Sequence, residues 1–320
     1  MAQWRGVLLD LDTIDRQDLD LSGLNRVCGH WDRYPGTQPD QVRERIRGAQ
    51  VVVTNKVVLD RPILESAADL RLVCVAATGT NNLDLVAARE LGIPVANVVG
   101  YSTPSVVQHV FAMILAFATR WPDYARDIRA GAWQGSGQFC LLDYPIWELA
   151  GRRLGIVGHG TLGKAVAEVA KGFGMEVWVA QRPGRDAQAG RVPLKELLPE
   201  VAVLSLHCPL TPETQGLIGA PELALMRPDA VLINAARGGV VDEQALADAL
   251  RRGQIAGAGV DVLTCEPPRD GNPLLAPDIP NLILTPHTAW ASREARQRLM
   301  NEIIANIQAF RQGGERNRVA

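Results

Sequence analysis

Residues 153–163 read Arg153-Leu154-Gly155-Ile156-Val157-Gly158-His159-Gly160-Thr161-Leu162-Gly163. A short apolar run, Leu154 to Val157, leads into G-x-G-x-x-G. The glycine string alone is weak. Here it follows a strand-like run and opens a segment with Val166, Val169 and Ala170 at helical spacing. That strand–turn–helix context is what a dinucleotide-binding turn requires. Gly158 permits the tight turn, Gly160 lets backbone N–H groups approach a pyrophosphate, and Gly163 lets the helix pack on the strand. Thr161 and Leu162 lie inside the turn and count with them as cofactor contacts.

The next strand candidate, 176–180, should end in an acidic residue that holds the ribose 2′-hydroxyl. It ends instead in Gln181-Arg182-Pro183-Gly184-Arg185. Gln181 carries no charge to repel a 2′-phosphate, and Arg182, with Arg185, could bind one. This favours NADP(H), or use of both dinucleotides, over strict NAD(H) selectivity.

Outward from the turn, short apolar runs alternate with helical patterns. Strands are expected at 7–11, 51–53, 72–76, 95–97, 153–157, 176–180, 201–206, 230–234, 256–263 and 282–284. Helices are expected at 39–47, 62–68, 83–91, 104–119, 161–173, 242–251 and about 292–310. Such alternation implies parallel sheets with helices on both faces. The chain has 320 residues, which at roughly 150 residues per domain suggests two domains. Residues 131–147 show no period and are rich in glycine and aromatics, as an arm or partner surface would be. The tail, 313–320, is polar and is expected to be loose.

Composition narrows the classes. A net charge of -2 gives no basis for a polyanion partner, so no nucleic acid is expected. The most apolar stretch, 106–118, contains Gln108 and His109 and is short for a membrane span. The five cysteines are odd in number and show no C-x-x-C, so neither a disulfide framework nor a metal site is expected. A reducing cytoplasm is the expected location.

Three downstream segments then take on meaning. They are Asn234-Ala235-Ala236-Arg237-Gly238-Gly239-Val240-Val241-Asp242, the run Gly257 to Pro267 containing Asp261, Cys265 and Glu266, and Thr285-Pro286-His287-Thr288-Ala289-Trp290. With the upstream run Val75 to Asp84, they closely resemble the signature segments of the D-isomer-specific 2-hydroxyacid dehydrogenase family. The resemblance covers essentially the whole chain. The stretch Phe139 to Trp147 looks like the glycerate dehydrogenase (hydroxypyruvate reductase) branch.

The resemblance implies an α/β fold with two doubly wound parallel-sheet domains. Residues 1–99 and 288–320 would form a flavodoxin-like substrate domain. Residues 100–287 would form a Rossmann cofactor domain inserted into it, with the active site in the cleft. Arg237 would grip the carboxylate of a small 2-keto acid, His287 would exchange the proton, and Glu266 would orient the imidazole. Ala77, Thr78 and Gly79 would offer N–H groups to the same carboxylate. Asp261 would contact the nicotinamide amide. Val106, His207, Cys208, Pro209, Thr214, Ala235 and Ala236 would lie along the cofactor. The aromatic segment and the long helix resemble the family's dimer contacts, so a homodimer is expected.

Read without the family, His109 on its apolar helix is a satisfied core or interface residue, and Cys265 is small packing. The expected reaction is hydroxypyruvate or glyoxylate reduced to D-glycerate or glycolate. The alternative is a dinucleotide-sensing binding protein of the same fold, such as the C-terminal-binding co-repressors. It conflicts with the absence of a peptide-docking extension.

Overall fold

A computed structural model describes residues 4–182, 184 and 188–320. The chain divides into two compact units, Met1–Ser102 with Trp290–Ala320, and Thr103–Ala289.

The first unit is built on five parallel strands, β1 (Arg5–Leu8), β2 (His30–Arg33), β3 (Val51–Thr54), β4 (Leu72–Val75) and β5 (Val95–Ala96). Their spatial order is β2-β1-β3-β4-β5. This is the flavodoxin-like doubly wound order. The residues Val51, Val52 and Val53, and Val73 beside Cys74, are wholly buried, as strands covered on both faces must be. Edge strand β2 is absent from the sequence expectations. Its His-Trp-Asp-Arg pattern is exposed at both ends and carries charge, as edge strands do.

The tail is not loose. Val95 N donates to Ala320 O (3.1 Å), Val319 N to Val95 O (2.8 Å) and Asn97 N to Asn317 O (3.1 Å). Arg318 bridges Ala96 in antiparallel sense. The polar composition misled because an edge addition is held by backbone bonds and needs few apolar side chains.

The second unit carries β6 (Arg153–Val157), β7 (Glu176–Val179), β8 (Val203–Leu206), β9 (Val231–Asn234), β10 (Gly257–Val260) and β11 (Leu282–Leu284). All are parallel, in the order β11-β10-β9-β8-β6-β7. A single parallel bridge, Ala180 to Val192, extends the sheet beyond β7. Counted as a strand, it restores the Rossmann order, with the topological switch between β6 and β8.

The helix Thr103–Thr119 lies over this sheet. β10 is glycine-rich, and the helix rests on it: a Cβ on Gly257 would meet Phe117 at 2.6 Å, and one on Gly259 would meet Met113 at 2.7 Å. Arg120 turns left-handed (φ 54°), and a second helix, Trp121–Arg129, follows, which is absent from the sequence expectations. Residues 130–147 are irregular and tied back by Trp147 N to Ala118 O (3.0 Å) and by the Tyr124–Tyr144 edge contact. Among the described residues no helix is long and apolar enough to cross a membrane.

Candidate active site

The glycine turn sits at the switch point. Gly158 has φ 93°, and a Cβ there would strike the backbone of His207 and Cys208 at 2.5–2.6 Å. The ends of β6 and β8 therefore meet only because residue 158 is glycine. A Cβ on Gly163 would fall 2.0 Å from Gly158 O, which fixes how closely the helix Thr161–Gly172 starts on its strand. Gly160 faces open space, with nothing within 4 Å of its would-be Cβ. Among the described residues no side chain caps this helix. Open space at uncapped N–H groups is what a pyrophosphate requires, so the residues fit a dinucleotide.

Beside the turn, His207 bonds Ser205 Oγ through Nε2 (2.8 Å), while its buried Nδ1 lacks a partner among the described residues. Burial pushes its pKa down to about 4, so the ring is neutral near pH 7. Cys208 is buried. Thr214 is buried too, and its hydroxyl closes the turn onto Pro209 O (2.6 Å). Val106 is buried on the long helix. Gln181 is half-buried and Arg182 exposed; Arg185 lies outside the described residues.

Arg237 follows β9. Asn234 shapes its turn, accepting from Ala236 N (3.1 Å) and donating to Arg237 O (3.1 Å). The guanidinium donates to Ala236 O (2.7 Å) and has no carboxylate partner among the described residues. Asp242 is engaged elsewhere, capping the helix Glu243–Arg251 through Ala245 N (3.0 Å). A Cβ on the next residue, Gly238, would lie 1.9 Å from Leu263 O. Glycine there lets the Arg237 turn pack against the loop that carries Glu266.

Glu266 accepts from Leu263 N through Oε1 (2.8 Å) and meets His287 Nδ1 through Oε2 (2.6 Å). Both side chains keep about a third of their exposure (33% and 30%), so the pair is reachable. With Nδ1 engaged, Nε2 is the nitrogen left for a substrate. His287 itself is left-handed, φ 54°. That conformation costs about 1–3 kcal/mol in a residue other than glycine. It is held by His287 N, which reaches Asp261 O (2.8 Å) and Thr285 O (3.0 Å). The Asp261 carboxylate is almost fully buried and accepts from Thr285 Oγ1 (2.6 Å), Thr288 N (2.9 Å) and Ala289 N (3.0 Å). Neighbouring Cys265 is exposed rather than packed.

In the first unit, the loop after β4 is braced by Thr78 Oγ1 to Val98 O (2.8 Å), Asn97 Nδ2 to Thr78 O (2.8 Å) and Val98 N to Ala77 O (3.1 Å). The carbonyls of Ala77 and Thr78 are thus engaged. The N–H groups of Ala77, Thr78 and Gly79 donate to nothing among the described residues.

Comparison with known proteins decides the family. The family described as "D-isomer specific 2-hydroxyacid dehydrogenase, NAD binding domain" matches residues 111–289. Glycerate dehydrogenase of Methylorubrum extorquens is 44% identical over 95% of this chain and 96% of its own. This chain belongs to the D-isomer-specific 2-hydroxyacid dehydrogenases. Hydroxypyruvate reductase of Blautia hydrogenotrophica is 38% identical, covering 97% and 98% of the two chains. Among solved structures, an NADPH-dependent glyoxylate/hydroxypyruvate reductase from Sinorhizobium meliloti, in complex with NADP and malonate, superposes with a TM-score of 0.82. It is 27% identical, over 100% of this chain and 97% of that one.

The dehydrogenase is thus an oxidoreductase of keto and hydroxy acids that uses a nicotinamide dinucleotide. Two residues that shape its site were not singled out from sequence. Asn234 and Thr285 both stand in quoted segments, but their roles lie in bonds to backbone and to Asp261 that a linear string does not display.

Proposed function

We propose that this dehydrogenase reduces hydroxypyruvate, and glyoxylate with it, to D-glycerate and glycolate. The carrying observation is the Glu266–His287 pair, with a carboxylate-free Arg237 on the same sheet edge. Arg237 forks onto the substrate carboxylate and draws density from the adjacent carbonyl. In the first unit, the N–H groups of Ala77, Thr78 and Gly79, which donate to nothing among the described residues, suit a carboxylate as well. The bound dinucleotide supplies the hydride. His287 delivers the proton from Nε2 to the carbonyl oxygen, and Glu266 holds the ring through Nδ1 as charge forms on it. In oxidation the same nitrogen takes the proton back. The similarity to a glycerate dehydrogenase and a hydroxypyruvate reductase weighs against a purely dinucleotide-sensing protein. Initial rates with hydroxypyruvate, glyoxylate and pyruvate test the substrate. Hydroxypyruvate should be fastest, and a clear preference for pyruvate would reject the assignment.

The second unit is the dinucleotide domain in this reading, and the first the substrate domain. Gly158, Gly160, Thr161, Leu162 and Gly163 take the pyrophosphate. Cys208, Pro209, Ala235 and Ala236 line the cofactor, and Asp261 offers its remaining lone pair to the nicotinamide amide. Exposed Arg182, with no acidic residue at the strand end, favours NADP(H). Arg182→Ala should weaken NADPH binding about tenfold or more and leave NADH nearly unchanged. Equal losses for both in a binding titration would reject the contact.

A homodimer is part of the proposal. Trp133 (50% exposed), Phe139 (90%), Leu142 (77%) and Ile146 (55%) put more apolar surface on one segment than a lone chain usually leaves in water. Light scattering should give twice the chain mass; a monomeric mass contradicts it. The five free cysteines fit a reducing, cytoplasmic setting.

A further inference from the structure

Ser105, His109, Met113 and Phe117 are spaced by four on the helix Thr103–Thr119, so they form one row along it. The lower half of the row is apolar and seats the helix on β10, Phe117 against Gly257 and Met113 against Gly259. The upper half is polar and reaches the turn after β11. Ser105 Oγ donates to Ala289 O (2.7 Å), and His109 Nε2 meets Thr285 Oγ1 (3.0 Å). These two bonds hold the two ends of the five-residue segment 285–289, with His287 between them.

We infer that His109 is a positioning residue for the proton-exchanging His287, acting through Thr285 and Asp261; the inference rests on the function proposed above. The direction of each bond follows from counting protons. Thr285 has one hydroxyl hydrogen, and at 2.6 Å it goes to Asp261 Oδ1. Asp261 spends its other bonds on Thr288 N and Ala289 N. Thr285 therefore has only lone pairs to offer His109, whose Nε2 must carry the hydrogen and donate it. The chain runs His109 N–H to Thr285 O–H to Asp261 carboxylate. It ends in the residue whose carbonyl takes His287 N (2.8 Å).

This chain has a task. His287 sits in a left-handed conformation that a short turn would not keep unaided. Its ring must also meet Glu266 at 2.6 Å for Nε2 to point at a substrate. Asp261 ties the same network to the second reactive turn, because Asp261 N donates to Asn234 O (2.9 Å), and Asn234 orders residues 235–237. A side chain on the long helix thus bears on the acid/base group without touching it.

The test compares His109→Leu, which removes the donor, with His109→Gln, whose amide N–H can reach Thr285. A shift of about 1 Å in a reacting group can lower turnover about 100-fold. His109→Leu should lose about ten- to a hundredfold in kcat, with dinucleotide affinity and Tm unchanged. His109→Gln should recover most of the rate. Equal kcat in the two variants, whether high or low, overturns the inference. Should His109→Leu fail to fold, Thr285→Val and Thr285→Ser pose the same question. The valine should be slow and the serine fast, and equal rates overturn it. His287→Ala, run alongside, separates the two layers. Normal turnover there defeats the reading of His287 itself. An inactive His287→Ala beside a fully active His109→Leu defeats the positioning role alone.

Discussion

His287→Ala should lower kcat by about two to four orders of magnitude, the usual contribution of a positioned general acid. Dinucleotide affinity should stay as it was. His287 stands on the turn after β11, away from the glycine turn that follows β6, so the two functions separate by position. The loss should fall on kcat rather than KM, because the proton moves only as the carbonyl is reduced. Steady-state rates with an equilibrium dinucleotide titration check both halves. Turnover close to wild type would remove His287 from the reaction.

Arg237→Gln should reduce kcat/KM for the keto acid a hundredfold or more. Each charge-assisted hydrogen bond is worth roughly 1.5–3 kcal/mol, and a guanidinium makes two to one carboxylate. Among the described residues no carboxylate holds Arg237, whose guanidinium donates only to the Ala236 backbone carbonyl. KM should rise and kcat fall together, because the same fork binds the carboxylate and polarises the carbonyl. Arg237→Lys should recover only part, as an ammonium cannot form the fork. A full recovery in the lysine variant would show that charge alone is needed.

Much of this was legible in the sequence, for reasons that can be named. The run 153–163 carries its own context, because a buried strand is uniformly apolar and a phosphate turn needs glycine where backbones touch. Arg237, Glu266 and His287 were singled out through the resemblance of their segments to the family's, and the structure puts each after a strand, at the sheet edge where ligands collect. What escaped was held by backbone or by distant partners. The polar tail docks through main-chain bonds to β5, and edge strand β2 has a single apolar residue, Trp31, to announce it. His109 looked like core because its helix is apolar. Its partner Thr285 lies 176 residues away, and no periodicity reports such a pair.

The stereochemistry and stoichiometry of the product report the hydride transfer itself. Hydroxypyruvate and a limiting amount of NADPH or NADH would be incubated with the enzyme and the glycerate resolved by chirality. D-glycerate should form, one per dinucleotide oxidised. L-glycerate, or dinucleotide bound but never oxidised, would contradict it.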